Sequence, residues 1–356
     1  MSANVTKQSA WFSWCRAGFE PELAAELQSR SAEAGSHGYA RAERDRGFVQ
    51  YMVESPTELS ALDPRQLIFA RASFQQYLRL AELDPKDRLG PLLDALPDAM
   101  SGMRFGRLQV EHADSDEGRP LSALARSLGN AMRGELRKRG WLYAEDNDRH
   151  PRLHVALLSG KEMTVGRAEA AWCPPWAGGI ARLRTHPDAP SRSALKLEEA
   201  LLVLLNDQER ESWLQPGMRA ADLGAAPGGW SWVLAHKHHV HVTAVDNGPL
   251  ADSAHATGII THLRADGFHW QPAKPLDWMV CDMVEQPVRV ADRIATWLRE
   301  GWCRRSIFNL KLPMKKRWDE TQRCLALLQE RSGCKLEIRA RQLYHDREEI
   351  TVYAGY

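Results

Sequence analysis

Six cysteines are scattered through the 356-residue chain, and no two stand as C-x-x-C. Neither a zinc ribbon nor an iron–sulfur ligand set is therefore indicated, and the spacing suits no disulfide framework in so large a chain. No metal site is expected. No apolar run reaches the roughly 20 residues that a membrane helix needs. The N-terminal "MSANVTKQSAWFSW" also lacks the apolar core of a signal peptide. Charge of one sign is missing too: the net charge is +1, which neither requires nor excludes a nucleic-acid partner. What remains is an ordinary soluble composition, 44% hydrophobic and 26% charged, long enough for two domains with real cores. The expectation is a cytoplasmic enzyme of bacterial type with no membrane contact.

From Met218 onward strands and helices alternate. "MRAADLG", "HVTAVD", "IITHLRAD", "LDWMVCDM" and "RSIFNLKL" read as strands; "GWSWVLAHK", "VRVADRIATWLREG" and "WDETQRCLALLQERSG" read as helices. Two closing strands, "KLEIRARQLY" and "EITVYAGY", are joined only by "HDRE", too short for a parallel return. The predicted architecture is an α/β, Rossmann-like doubly wound sheet with an antiparallel last strand. The first half mixes helical stretches such as "GFEPELAAELQSRSAEAG" and "LSALARSLGNAMRGELRKRG" with short strands such as "GRLQVEHAD" and "RLHVALLSG", an α+β pattern without a Gly-rich turn. Residues 173–190, "CPPWAGGIARLRTHPDAP", cannot sustain a helix or an interior strand. The expected division is thus 1–172, a linker at 173–190, and 191–356.

The stretch "DLGAAPGGW" turns a strand into a helix, with Gly224, Pro227, Gly228, Gly229 and Trp230 in the turn. Glycines there let a ligand approach the backbone and meet the N–H groups of a helix start. A dehydrogenase would seat a pyrophosphate on G-x-G-x-x-G, and no second glycine follows Gly224 at that spacing. Asp246 closes the next strand, where an acid accepts from both ribose hydroxyls, and Asp266 closes the third, facing an adenine. An adenosyl group without phosphates points to S-adenosylmethionine. The plainer alternative is that these are only turn glycines.

Methylation of a base is disfavoured. The fourth strand end, "DWMVCDM", has no Asn/Asp-Pro-Pro-aromatic box, and no Pro-Cys pair offers a nucleophile for carbon methylation. "CPPW" at 173–176 precedes the cofactor turn and reads as a stiff linker, with a permuted enzyme as the alternative. Instead, ionisable residues stand at the strand ends: Asp282, Lys311 in "SIFNLKLPM", and Glu349 at the start of the antiparallel last strand. Lys196 opens the helix of "SRSALKLEEA". Two lysines and two acids can converge on the edge where doubly wound sheets bind ligands. Surface ion pairs are the alternative, weak for Lys311 after its apolar run and stronger for Lys196. Alternation alone leaves Glu348 and Glu349 open.

On "SRSALKLEEA", "DLGAAPGGW", "CDM", "NLKLPMKKRW" and "HDREE", the catalytic half resembles the FtsJ-like RNA ribose 2′-O-methyltransferases, and more closely their large-subunit ribosomal RNA branch. The resemblance implies Lys196, Asp282, Lys311 and Glu349 as a catalytic tetrad. It implies cofactor contacts from Ser193, Gly224, the Pro227–Trp230 turn, Asp246, Asp266 and Asp282. "CRAGFEPELAAEL" and the run ending "RLHVALLSGKEMTVGRAE" resemble, less specifically, the ferredoxin-like and THUMP regions of RNA-modifying enzymes. The implied substrate is one cytidine of 23S rRNA near the peptidyl transferase centre, as free rRNA or in a pre-50S particle, and a monomer is expected. A 2′-hydroxyl that attacks a methyl sulfonium must lose its proton. Lys311 is the expected base, its neutral form favoured by partial burial and a second ammonium while Asp282 and Glu349 limit and position that effect, with Lys196 placing the hydroxyl or stabilising the oxyanion. Basic clusters expected to flank the active edge are Lys315, Lys316 and Arg317, Arg304 and Arg305, and Arg182, Arg184 and Arg192. Arg133, Arg137, Lys138 and Arg139 add a further helix face. Trp318 either stacks on a base or caps the core. The competing functions are an RNA-binding or ribosome-assembly protein with an inactive methyltransferase fold, and a methyltransferase acting on a different RNA.

Overall fold

Two compact units, Met1–Ile180 and Ala181–Tyr356, divide the chain. The computed structural model describes residues 3–53, 63–100 and 102–356, so Met1 and Ser2 of the N-terminal stretch lie outside the described residues. Among the described residues no helix is long and apolar enough to cross a membrane.

In the first unit, strands β1 (Asn4–Trp14), β2 (Gly38–Ala42), β3 (Phe48–Val53), β4 (Ala72–Ala81), β5 (Arg107–His112), β6 (Arg152–Ser159) and β7 (Glu162–Ala168) form one sheet in the order β2-β3-β1-β4-β7-β6-β5. Every neighbouring pair is antiparallel except β5 and β6. The short strands read from the sequence thus belong to a continuous seven-stranded sheet. The helix Glu20–Glu33 is anchored by buried Glu26, whose two oxygens accept from Ile68 N (2.7 Å) and Phe69 N (2.9 Å). The amphipathic helix Ser122–Lys138 turns Leu128, Met132 and Leu136 inward and packs on β5.

The start of the Pro/Gly-rich stretch is bonded into this unit. Arg152 Nη1 donates to Pro174 O (2.9 Å) and Gly178 N donates to Glu111 Oε1 (2.7 Å). Cys173 Sγ lies 3.6 Å from His154 Nε2, and burial pushes its thiol up to about 12. A thiol held protonated is not a nucleophile at neutral pH.

The second unit carries β8 (Arg219–Leu223), β9 (His241–Val245), β10 (Ile260–Leu263), β11 (Leu276–Cys281), β12 (Cys303–Lys311), β13 (Glu337–Arg341) and β14 (Glu349–Gly355), ordered β10-β9-β8-β11-β12-β14-β13. β8 to β12 run parallel, and β14 runs antiparallel to both β12 and β13. Central strands such as β12, buried along "SIFNL", are continuous apolar runs because both faces are covered. The helix Pro287–Arg299 starts on a proline, whose missing N–H costs nothing at that position, and buries Val290, Ile294 and Trp297. The helix after the glycine turn begins at Gly229–Trp232 and widens to a π turn over Val233–Lys237.

Register positions the site. Leu223 pairs with both Cys281 and Val245, so Gly224, Asp282 and Asp246 are the next residues on three adjacent strands. Lys311 pairs directly with Glu349 across the antiparallel boundary. β10 stops at Leu263, leaving Asp266 in the following loop rather than at the strand end.

Buried Glu199, one turn after Lys196 on the helix Ala194–Leu204, fixes the turn before β14. Its carboxylate accepts from Tyr344 N (2.8 Å) and His345 N (2.9 Å) and lies 2.6 Å from His345 Nδ1. Glu199→Ala leaves two backbone donors without their acceptor and should destabilise the protein by about 2–4 kcal/mol. Urea unfolding should show a lower midpoint with an unchanged slope, and a wild-type midpoint would show that the clamp contributes nothing.

Candidate active site

The glycine turn is built for close packing. Gly224 and Gly228 sit at φ +75 and +105, a left-handed region that L side chains rarely adopt. A Cβ at Gly228 would lie 2.9 Å from Ala254 Cβ, one at Gly224 would strike Met283, and one at Gly229 would strike the Ser191 and Ser193 hydroxyls. The missing side chains therefore admit neighbouring protein, where the sequence suggested space kept for a ligand. Ser193 Oγ is 2.6 Å from Ser191 Oγ, and its carbonyl accepts from Trp230 Nε1 (3.0 Å). Trp230 itself is core, with its indole N–H already engaged. Pro227 stands between Ala226 and the left-handed Gly228.

Asp246 accepts from Ala226 N (3.0 Å) on one oxygen and from Gly248 N (2.7 Å) on the other. It is half-buried, and each oxygen keeps a further lone pair for a hydroxyl donor. That capacity fits the two ribose hydroxyls of an adenosyl group. Asp266 is exposed; the Phe268 amide and then His269 hold its carboxyl below the usual range. Asp222, which the sequence reading passed over, lies beneath the turn and accepts from Ser231 N (2.9 Å) and Ser231 Oγ (2.6 Å) on a single oxygen. Burial lifts its carboxyl to about 7 against those bonds, and Asp282 and Asp246 push the same way. Its position at the strand end, two residues before Gly224, was the available signal.

Lys196, Asp282, Lys311 and Glu349 meet at the carboxyl edge of the sheet. Lys196 Nζ lies 3.1 Å from Asp282 Oδ2 and 2.5 Å from Glu349 Oε1. Lys311 Nζ lies 2.6 Å from Asp282 Oδ1 and also contacts Glu349 Oε2. Each ammonium thus bridges both carboxylates, and Asn309 Nδ2 donates to Asp282 Oδ1 (2.9 Å). Burial pushes the Asp282 carboxyl up, but Lys311, Lys196 and Asn309 together hold it below the usual range. Burial works to lower Lys311, yet Asp282 and Glu349 outweigh it and hold the ammonium above the ordinary lysine range. This corrects the expectation that the neutral form of Lys311 is favoured: the two carboxylates in direct contact do more than limit the effect of burial, they outweigh it. Of the two glutamates, Glu349 is buried among the lysines, while half-exposed Glu348 contacts Arg317.

The basic clusters separate. Lys315 and Lys316 are exposed just beyond β12, and Arg182, Arg184 and Arg192 are exposed ahead of the Lys196 helix. Arg304 and Arg305 begin β12, six or more residues before Lys311. At about 3.3 Å per residue that places them near the opposite edge, roughly 20 Å away, which corrects the expectation that they flank the site. Arg305 stacks over Trp213, 4.2 Å from the ring centroid. In the first unit Arg137, Lys138 and Arg139 are exposed, with Lys138 paired to Glu135 (2.7 Å), and Arg133 is half-exposed. Trp318 is partly buried in the first turn of the helix Arg317–Arg331.

Three family models match consecutive stretches: the RlmM ferredoxin-like domain over residues 9–74, the N-terminal region of ribosomal RNA large subunit methyltransferase M over 87–169, and the FtsJ-like methyltransferase over 189–312. Ribosomal RNA large subunit methyltransferase M of Stenotrophomonas maltophilia (strain R551-3) is 60% identical over 345 residues, 96% of this chain and 95% of that protein. The protein of the same name from Xanthomonas campestris pv. campestris (strain B100) is 59% identical over 342 residues, 96% of this chain and 97% of its own.

The lifted Asp222 carboxyl gives a pH test. A folded-state pKa above the unfolded value adds stability that is complete below the ordinary carboxylate range and is lost as pH rises toward 7. Between pH 4 and 7 the wild type should lose on the order of 4 kcal/mol relative to Asp222→Asn, then run level with it. A constant difference in unfolding free energy would mean that Asp222 ionises normally.

Proposed function

The chain belongs to the ribosomal RNA large subunit methyltransferase M family, and from that premise we propose that it methylates the ribose 2′-oxygen of one cytidine in 23S rRNA near the peptidyl transferase centre. It is an S-adenosyl-L-methionine-dependent methyltransferase with a Rossmann-like catalytic unit. The observation that carries the ribose reading is the four-way ion cluster at the sheet edge, where two ammoniums stand ready to engage a hydroxyl oxygen. Neither a base-nitrogen box nor a Pro-Cys nucleophile is present in the sequence.

S-Adenosyl-L-methionine supplies an electrophilic methyl on a cationic sulfur. Asp246 would accept from its ribose hydroxyls, and Asp266, Gly224, Ser193, Asp282 and the Pro227–Trp230 backbone would hold the rest of it. Lys196 orients the 2′-hydroxyl and stabilises charge developing on its oxygen. Lys311 takes the proton as base from its minor neutral form, since Asp282 and Glu349 keep most of it charged at rest. That charge also favours a second reading, in which Lys311 acts only as an ammonium and the proton leaves to water. The first unit, ferredoxin-like and then THUMP-type, holds rRNA through Arg137, Lys138 and Arg139. The protein works as a cytoplasmic monomer on free 23S rRNA or an assembling pre-50S particle.

Lys311→Ala should abolish methyl transfer to 23S rRNA while cofactor binding by calorimetry stays near wild type. If Lys311 is the base, Lys311→Arg is equally inactive, because a guanidinium cannot accept the proton. Single-turnover rates of the wild type should then climb about tenfold per pH unit through neutral, with no plateau until above the ordinary lysine range. Substantial activity in Lys311→Arg with a flat profile would establish the ammonium reading. Asp246→Ala should weaken cofactor binding by about 1–3 kcal/mol, and undiminished affinity would remove Asp246 from the ribose site.

Reversing Lys138 and Arg139 to Glu should weaken rRNA binding and flatten its dependence on salt, as loss of phosphate contacts does. An unchanged salt slope would mean that this helix end does not meet the backbone.

A further inference from the structure

Behind the ion cluster lies a buried polar chain that the proposed chemistry does not use. Asn309 on β12 and Thr351 on β14 face each other in register, and both are fully buried. Thr351 Oγ1 lies 2.8 Å from Asn309 Oδ1, and 3.1 and 3.0 Å from the two carboxyl oxygens of Asp346. Asp346, in the turn before β14, is 1% exposed and accepts from Leu343 N (2.9 Å) on Oδ2.

Counting protons fixes the state of this chain. Asp282 is ionised between two ammoniums, so the group that Asn309 turns toward it must be the donating amide nitrogen. Asn309 Oδ1 then faces Thr351 and can only accept. The single proton of the Thr351 hydroxyl therefore goes to Asn309, leaving its oxygen lone pairs toward Asp346. An ionised carboxylate has only lone pairs to offer in return. Two acceptors about 3 Å apart in a dry interior repel, and a buried acceptor without a donor is costly.

We infer that Asp346 is a positioning residue that works as a neutral acid, donating to Thr351, which donates to Asn309, whose amide donates to Asp282. The chain runs one way and ends on the carboxylate that both lysines share. It rests on the reading of that cluster as the methyl-transfer site. Losing its last donor would free Asp282 to rotate and would shift Lys196 and Lys311 with it. The surroundings support the neutral form. Burial, and then Glu349 from β14, raise the Asp346 carboxyl well above its ordinary value, against the Leu343 amide, Thr351 and Lys196 from the neighbouring helix. His345 and Arg347 flank it on its own turn, and Glu199 from the Lys196 helix engages His345. Asp282 and Lys311 lie beyond Asn309.

The test compares Asp346→Asn, Asp346→Ala and Thr351→Val in the full-length protein, using steady-state methylation of 23S rRNA. An asparagine still accepts from Leu343 N and donates to Thr351, so Asp346→Asn should stay within about threefold of the wild-type kcat. Asp346→Ala and Thr351→Val should each lower kcat tenfold or more with KM for cofactor and rRNA within about twofold, and the double variant should be no worse than either single. Equal damage from Asn and Ala would mean that Asp346 acts as a charge, and the proposal would fall.

A readout independent of activity separates this proposal from the ribose reading and covers an alanine variant that does not fold. A carboxyl protonated in the folded state makes the wild type lose stability relative to Asp346→Asn as pH rises from the ordinary carboxylate range. A gap that stays constant from pH 4 to 8 would overturn the neutral acid even if methyl transfer were confirmed. A progressive loss of wild-type stability relative to Asp346→Asn as pH rises would uphold it even if 23S rRNA proved not to be the substrate.

Discussion

Two lysines and two carboxylates in mutual contact at one sheet edge set the terms for the second unit. All four are largely buried, and a charge in such a place is tolerated only with its partners present. Removing any one leaves an uncompensated charge, so the elements supplying them must be held together tightly. Asp282 follows β11, Lys311 ends β12, Glu349 starts β14, and Lys196 comes from a helix ahead of the sheet. The antiparallel last strand is what makes this possible. A parallel seventh strand would present its end, not its start, at the active edge, and Glu349 would be carried to the far side. Glu199 then ties the Lys196 helix to the turn from which β14 departs.

The same edge carries two structural features. The glycine turn lies between Asp246 and Asp282 in strand order, so the turn and the ion cluster share one boundary. Asp222 beneath the turn and Asp346 behind the cluster are both buried carboxyls raised by burial, and each is met by a serine or threonine hydroxyl. The charged residues at the sheet edge are thus backed by carboxyls that favour the neutral form. That arrangement limits the net negative charge around the Lys196 and Lys311 ammoniums.

Much of the second unit could be read directly because its strands are covered on both faces. "SIFNL" and "WMVC" are apolar without alternation, and each ends at the ionisable residue that matters. The turn "DLGAAPGGW" and the short "HDRE" link gave the remaining topology. The first half was harder. β1 begins with the exposed polar run "NVTK" before it enters the core, and one continuous sheet joins strands that look like two separate sets. The direction of the Lys311 shift was not readable, because it depends on distances to Asp282 and Glu349 that a one-dimensional pattern does not contain. Arg304 and Arg305 are close to Lys311 in sequence, yet a nine-residue strand separates the two edges of the sheet. Asp346 carried no motif of its own; its part follows only from which atoms face Thr351.

The ribose assignment can be examined on the RNA itself. 23S rRNA from cells lacking this gene, and from the same cells with the gene restored, should be digested and mapped by mass spectrometry for methylated nucleosides. One 2′-O-methylcytidine near the peptidyl transferase centre should be absent without the gene and return with it. A mark that instead disappears from a base, or methylation of 23S rRNA that is identical in both strains, would contradict methyl transfer to a ribose oxygen by the four-residue cluster.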